Sequence, residues 1–102
     1  MYTIEYLPIA RRDMVDIAKY IGVKLENPEA AERLAEKMIE AAEKLTDMPY
    51  KCPVYIPVKP LRHEYRKLIV QNYIMFYWVD EDKKRITIAR VVYSGRDYEN
   101  LL

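Results

Sequence analysis

Tyr65-Arg66-Lys67-Leu68-Ile69-Val70-Gln71-Asn72-Tyr73-Ile74-Met75-Phe76-Tyr77-Trp78-Val79 is the stretch whose reading decides the fold. Two runs rich in aromatic and β-branched residues are separated by Gln71-Asn72, so Tyr65–Val70 and Tyr73–Val79 read as strands joined by a tight hairpin connection. Tyr73–Val79 is apolar on both faces, the pattern of a central strand covered on each side. Downstream, Asp80 to Lys84 supplies a second connection. Arg85–Tyr93 then makes a third strand, with Ile86, Ile88 and Val92 on one face and Arg90 interrupting. The tail from Ser94 closes on Leu101-Leu102, an apolar end expected to fold back onto the sheet.

Upstream, Pro49, Pro53, Pro57 and Pro60 fall within twelve residues. Proline lacks the amide donor and fixes φ, so residues 49–60 can be neither helix nor central strand and read as an extended connection over the surface. Before them the period changes from two to between three and four. Ala31, Leu34, Ala35, Met38, Ala42 and Leu45 form the apolar stripe of a helix running towards Met48, supported by Glu29–Arg33 and Glu40–Lys44 pairs. Asn27-Pro28-Glu29 starts that helix, with a capping side chain, a proline at the first helical position and an acid at the positive end of the macrodipole. Met14, Ile17, Ala18, Ile21 and Leu25 mark an earlier helix, in which Gly22 marks an end or a kink. Tyr2–Tyr6 alternates as a first strand, with Tyr2, Ile4 and Tyr6 on one face, and Pro8 ends it. The expected architecture is one α+β domain over residues 1–102: an N-terminal strand, an αα-hairpin, then a three-strand antiparallel meander packed against the helices.

A chain of 102 residues, half of them hydrophobic, buries one core and leaves little bulk for a deep substrate cleft. The formal charge of +1 sets aside a globally basic nucleic-acid binder, so any such contact must come from a local patch. Residues 26–49 carry seven acidic and three basic side chains, whereas 51–79 carry five basic and one acidic. Charge runs of this kind are solvated faces or contact surfaces. Cys52 is the only cysteine, which excludes an intramolecular disulfide and a cysteine-based zinc site, and nothing local activates it as a nucleophile. No metal or cofactor is expected. No apolar run reaches membrane-spanning length and the start lacks the shape of a signal peptide, so the expectation is a cytoplasmic protein.

Taken together, Tyr65-Arg66-Lys67-Leu68-Ile69-Val70, Tyr73-Ile74-Met75-Phe76-Tyr77 and Ile88-Ala89-Arg90-Val91-Val92-Tyr93-Ser94-Gly95-Arg96-Asp97, in this order behind a strand and a helical hairpin, resemble the RelE/ParE toxins over nearly the whole chain. The resemblance implies the toxin of a type II toxin–antitoxin (plasmid stabilisation) system, silenced by a cognate antitoxin that wraps it, with oligomers arising through that complex. It also implies one of two targets. RelE-like members cleave messenger RNA on the ribosome, whereas ParE-like members inhibit DNA gyrase and need no catalytic constellation. A non-toxic interaction domain is the third reading.

RNA cleavage requires a base for the 2′-hydroxyl, cations around the phosphorane and an acid for the leaving oxygen. On the RelE-like reading, Lys67, Arg96 and Tyr98 match the catalytic positions. The arginine that many such enzymes carry in the third strand is Ile74 here, and the histidine of the YoeB-like branch is absent from Tyr93-Ser94-Gly95. The ParE-like pattern before the tail is similar to Val92-Tyr93-Ser94-Gly95-Arg96-Asp97. Near-neutral charge also suits a protein target better than a ribosomal RNA cleft. These points favour gyrase, with Lys59, Arg66, Arg90 and Arg96 as target-binding candidates. Two of them have a structural alternative: Arg90 paired with a carboxylate at the core edge or reaching to solvent, and Arg96 bridged to Asp97 or Glu99. Arg66 and Lys67 point to opposite sides of their strand, so at most one serves a site. His63 reads as a solvated side chain near the end of the proline-rich connection, and Trp78 as core.

Overall fold

The computed structural model describes residues 1–102. Strand β1 (Thr3–Tyr6) leads into helix α1 (Pro8–Lys19), which continues through a wider π-type turn at Tyr20–Lys24. Helix α2 (Pro28–Lys44), the proline-rich connection and strands β2 (Arg66–Val70), β3 (Tyr73–Asp80) and β4 (Arg85–Tyr93) follow. The meander is as read from the sequence, with Val70 opposite Tyr73 across the first hairpin and Asp80 opposite Arg85 across the second. The sheet as a whole is mixed. The helical hairpin carries the chain across one face, so β1 lies parallel to β4 and the strand order is β1-β4-β3-β2.

Local chemistry accounts for the element ends. Pro8 and Pro28 each occupy the first turn of a helix, where the missing amide costs nothing, and the Asn27 side chain accepts a hydrogen bond from the Ala30 amide at 3.1 Å. The π-type turn displaces the apolar stripe of α1: Ile21 packs against the core while Leu25 is exposed, contrary to the regular helical spacing. Helix α2 ends at Lys44 rather than running to Met48, which is exposed. Leu45, Thr46 and Asp47 tighten into i→i−3 bonds, and the Thr46 hydroxyl donates to the Glu43 carbonyl at 2.7 Å. Glu29 and Arg33 pair as expected at 4.0 Å, while Glu40 and Lys44 form no ion pair.

Two apolar layers cover the sheet. On the helix side Leu68, Val70, Met75, Tyr77, Ile86, Ile88 and Val91 meet Ala10, Leu34, Met38, Ala42 and Leu45. Ile74, Phe76, Ala89 and Val92 face the other way and are covered by Tyr55 and Tyr65, together with Tyr98, Leu101 and Leu102 of the tail. The tail therefore folds back as expected, and Ile74 to Tyr77 of the central strand are buried from both sides. A register shift between Phe76 and Tyr77 places Ile88 opposite Tyr77 and Arg90 opposite Phe76, so Ala89 is the extra residue of a β-bulge in β4.

The proline-rich connection is tied down at its centre. Tyr55 donates its amide to the Tyr65 carbonyl at 2.8 Å, Lys67 donates to the Pro53 carbonyl at 3.1 Å, and Val54 forms an antiparallel bridge with Arg66. Residues 53–55 thus line the outer edge of β2, the one position in a sheet where flanking prolines are tolerated. No helix is long and apolar enough to cross a membrane.

Candidate functional site

Two of the three arginines in the strands, Arg66 and Arg90, are turned inward. Arg90 lies half-buried beyond the end of β1, where α1 passes over the edge of β4. Its Nε and Nη2 donate to the two carboxylate oxygens of Asp13 at 2.8 and 3.0 Å. The same carboxylate accepts the Val91 amide at 2.9 Å, and Arg90 Nη1 reaches the Leu101 carbonyl at 3.3 Å. One ion pair therefore joins α1, the bulged part of β4 and the tail, which is the core-edge pairing that was the alternative to target contact. Arg66 does the same for the proline-rich connection. Its Nη1 donates to the carbonyls of Cys52 at 2.7 Å and Tyr50 at 3.1 Å, and its guanidinium lies over the Tyr50 ring. In this arrangement neither guanidinium is directed at an outside target.

The remaining candidates are dispersed. Lys67 stands on β2 in register with Phe76, on the tail side of the sheet. The ring of Tyr98 packs into the second apolar layer, 5.2 Å from Phe76 and 5.9 Å from Tyr55. Arg96 is exposed in the turn after β4, where its amide donates to the Tyr93 carbonyl at 3.0 Å; it forms no ion pair with Asp97 or Glu99. Its neighbours line a groove of about 570 Å³ between α1 and the ends of β3 and β4. Lys59 is exposed at the rim of a separate hollow beside Glu99 and Asn100. Lys67 and Tyr98 thus share the tail side, whereas Arg96 opens onto the helix side. No group of three or more His, Cys, Asp and Glu side chains gathers where a metal could sit.

Three features lay beyond the sequence reading. His63 is not a freely solvated side chain: its ring stacks on Trp78 with centroids 3.7 Å apart and planes 5° from parallel, and Tyr65 meets Trp78 edge-on. Burial, and then the charge of Arg62, lower its pKa below the ordinary 6.5. Glu81 in the second hairpin collects Lys84, Tyr50 and Tyr2, whose hydrogen bonds in that order hold its carboxyl down at about 2. The Glu81 bond pushes the Tyr50 phenol up to about 12. Tyr77, read as part of a plain apolar strand, donates its hydroxyl to the Pro49 carbonyl at 2.8 Å, and burial raises its pKa. Composition marks tyrosines and carboxylates as hydrogen-bonding groups, but only the fold brings residues 2, 50 and 81 together.

One groove on the helix side is mainly apolar. Ile4, Met14, Val15 and Ile39 line this second groove of about 520 Å³ beside the outer edge of β1, with Arg11 and Glu43 at its margins. β1 pairs only with β4, so its other edge carries no partner strand.

Solved structures share this arrangement. The chain superposes on the toxin fold of a chromosomal ParDE toxin–antitoxin system from P. aeruginosa with a TM-score of 0.71 at 19% identity, over 91% of this chain and 96% of the other. An archaeal RelE–RelB complex from Pyrococcus horikoshii OT3 gives 0.62 at 17% identity, covering 94% and 98%. A RelBE complex from Mycobacterium tuberculosis gives 0.58 at 23% identity, covering 90% and 96%. No curated protein sequence matches the chain. The model of one sequence family, described as the ParE toxin of the type II toxin–antitoxin system parDE, matches residues 4–98. With that match spanning nearly its whole length, the chain belongs to the ParE toxin family of type II toxin–antitoxin systems.

Proposed function

We propose that this toxin acts on DNA gyrase in the cytoplasm and is held inactive by a cognate antitoxin. The observation that carries the choice of target is the dispersal of Lys67, Arg96 and Tyr98. Cutting an RNA strand requires a base, an acid and cationic groups around one phosphate. Here Tyr98 is used in packing against Phe76 and Tyr55, and Arg96 opens on the opposite side of the sheet from Lys67. The only histidine is stacked on Trp78, and Arg66 and Arg90 are taken up by internal partners. A gyrase inhibitor needs a shaped surface rather than such a cluster, and a formal charge of +1 suits a protein target.

Two observations support an antitoxin partner. The similar solved structures include ParDE and RelBE toxin–antitoxin complexes. The apolar groove of Ile4, Met14, Val15 and Ile39 beside the open edge of β1 also offers both modes by which a flexible protein segment binds, an apolar helix face and strand addition. The test is a supercoiling assay with purified toxin and gyrase, run beside primer extension on transcripts from cells expressing the toxin alone. Inhibited supercoiling, relieved by the antitoxin and unaccompanied by new transcript ends, is the expected result. Ribosome-dependent cuts that vanish with Lys67→Ala or Arg96→Ala would overturn it in favour of messenger RNA cleavage.

A further inference from the structure

The groove between α1 and the ends of β3 and β4 has a composition that neither packing nor the proposed target explains. Asp13, Asp16, Ile17 and Tyr20 lie at spacings of three and four and so share one face of α1 and its π-type turn, and that face makes one wall. Tyr73 and Tyr93, paired across β3 and β4 with ring centroids 6.0 Å apart, make the other. Tyr20 and Tyr93 are each about half exposed, at 52% and 53%, so both keep surface open to the groove they line. Burial raises the Tyr73 phenol above its ordinary value, and Tyr20, Tyr73 and Tyr93 line the same groove.

The charges within the groove are unequally committed. Asp13 is saturated by Arg90 and the Val91 amide. Asp16 is exposed and forms no ion pair or hydrogen bond, which leaves one unpaired carboxylate in the same lining as the three tyrosines. Arg96, the single cation of the lining, sits in the exposed turn beyond β4 and lies over none of the rings. The chain therefore does not fill this aromatic space with a cation of its own.

A further detail shows that the ring position is built. A side-chain carbon placed on Gly95 would come within 2.5 Å of Cε2 of Tyr93 and 3.3 Å of two more ring atoms. The Tyr93 ring thus rests on the bare backbone of Gly95, and any larger residue there would push it out of place.

We propose that this groove is a receptor for a basic side chain, arginine or lysine, presented by a protein partner, with Tyr20, Tyr73 and Tyr93 offering ring faces and Asp16 the counter-charge. Tyrosine faces attract a cation through their quadrupole, and a carboxylate at the rim adds direction to that attraction. Charge complementarity selects this occupant over an acidic one, because an anion would meet the negative ring faces and the unpaired carboxylate of Asp16. The inference stands whether the partner is the antitoxin or the target, and so survives a change in the proposed target.

The test uses the intact toxin and two small probes, N-acetyl-argininamide and N-acetyl-glutamate amide, titrated while the backbone amide resonances are followed by NMR. The arginine probe is expected to shift resonances of Asp16, Tyr20, Tyr93 and Gly95 saturably. Asp16→Asn and Tyr93→Leu should each weaken binding by roughly threefold to fivefold. Both positions are exposed, so the fold is retained; Gly95→Ala provides an independent check, since it moves the ring without deleting it and should also weaken binding. An Arg96→Ala variant should bind the arginine probe at least as well as the parent. Three results would overturn the proposal: no saturable shift with the arginine probe, equal binding in Asp16→Asn, or tighter binding of the glutamate probe that depends on Arg96. Preference for a mononucleotide over both probes would instead assign the rings to base stacking, and would overturn it equally.

Discussion

Removal of the Asp13 carboxylate is the sharpest test of how this fold is held. Asp13→Ala strips Arg90 of its bonds at 2.8 and 3.0 Å and the Val91 amide of its bond at 2.9 Å, leaving a guanidinium only 14% exposed without a counter-charge. Removing one partner of a buried pair costs about 3–5 kcal/mol, and charge-assisted bonds contribute about 1.5–3 kcal/mol each. Because both side chains keep some solvent contact, the lower end applies, about 3 kcal/mol. Arg90→Met keeps the apolar stem of the side chain and leaves Asp13 its Val91 bond, so it should cost about 2 kcal/mol. The double variant should cost about 3 kcal/mol rather than the additive value of about 5, a coupling of about 2 kcal/mol. Equilibrium urea unfolding measures all three, and for a domain of this size the Asp13→Ala loss corresponds to a fall in Tm of about 12–20 °C. If Asp13→Ala cost less than about 1 kcal/mol, or the two changes proved additive, the assignment of this pair as the joint of α1, β4 and the tail would be refuted.

Two further outcomes follow from local geometry. His63 has a pKa lowered by burial and by Arg62, so the folded protein takes up a proton less readily than the unfolded chain; the stability it contributes is complete above the ordinary 6.5 and declines as the pH falls through and below that value. His63→Phe should flatten that part of a Tm-against-pH profile, and the fluorescence of Trp78, the only tryptophan, should change over the same window only in the parent; a parent profile flat between pH 7.5 and 5 would count against the stack as a titrating contact. Gln71 opens the first hairpin with φ of 54°, a left-handed conformation that costs a residue with a side chain about 1 kcal/mol, so Gln71→Gly should raise stability by about 0.5–1 kcal/mol in urea unfolding, and a loss would show that the Gln71 side chain makes a compensating contact.

The candidate site was less legible than the fold. Lys67, Arg96 and Tyr98 stand where the family resemblance puts them in sequence, yet whether they meet depends on which side of the sheet each reaches. The bulge at Ala89 and the fold-back of the tail set that geometry. Arg90 was recognisable as a buried cation in need of a carboxylate, but periodicity alone could not single out Asp13, 77 residues away. The Glu81 cluster and the His63–Trp78 stack gave no local signal at all, because each joins segments with no shared period or spacing.

By itself the sequence determined the elements: the capped helix after Asn27, the extended proline-rich connection, the hairpin at Gln71-Asn72 and the doubly covered central strand. These depend on interactions a few residues apart, which periodicity and turn chemistry record directly. Only the tertiary structure decided that β1 runs parallel beside β4, that the proline segment binds the edge of β2 and joins the tail over the second face, and that Asp16 lines one groove with three tyrosines. Those outcomes rest on burying apolar surface between segments far apart in the chain, a property of the packed whole that no local pattern encodes.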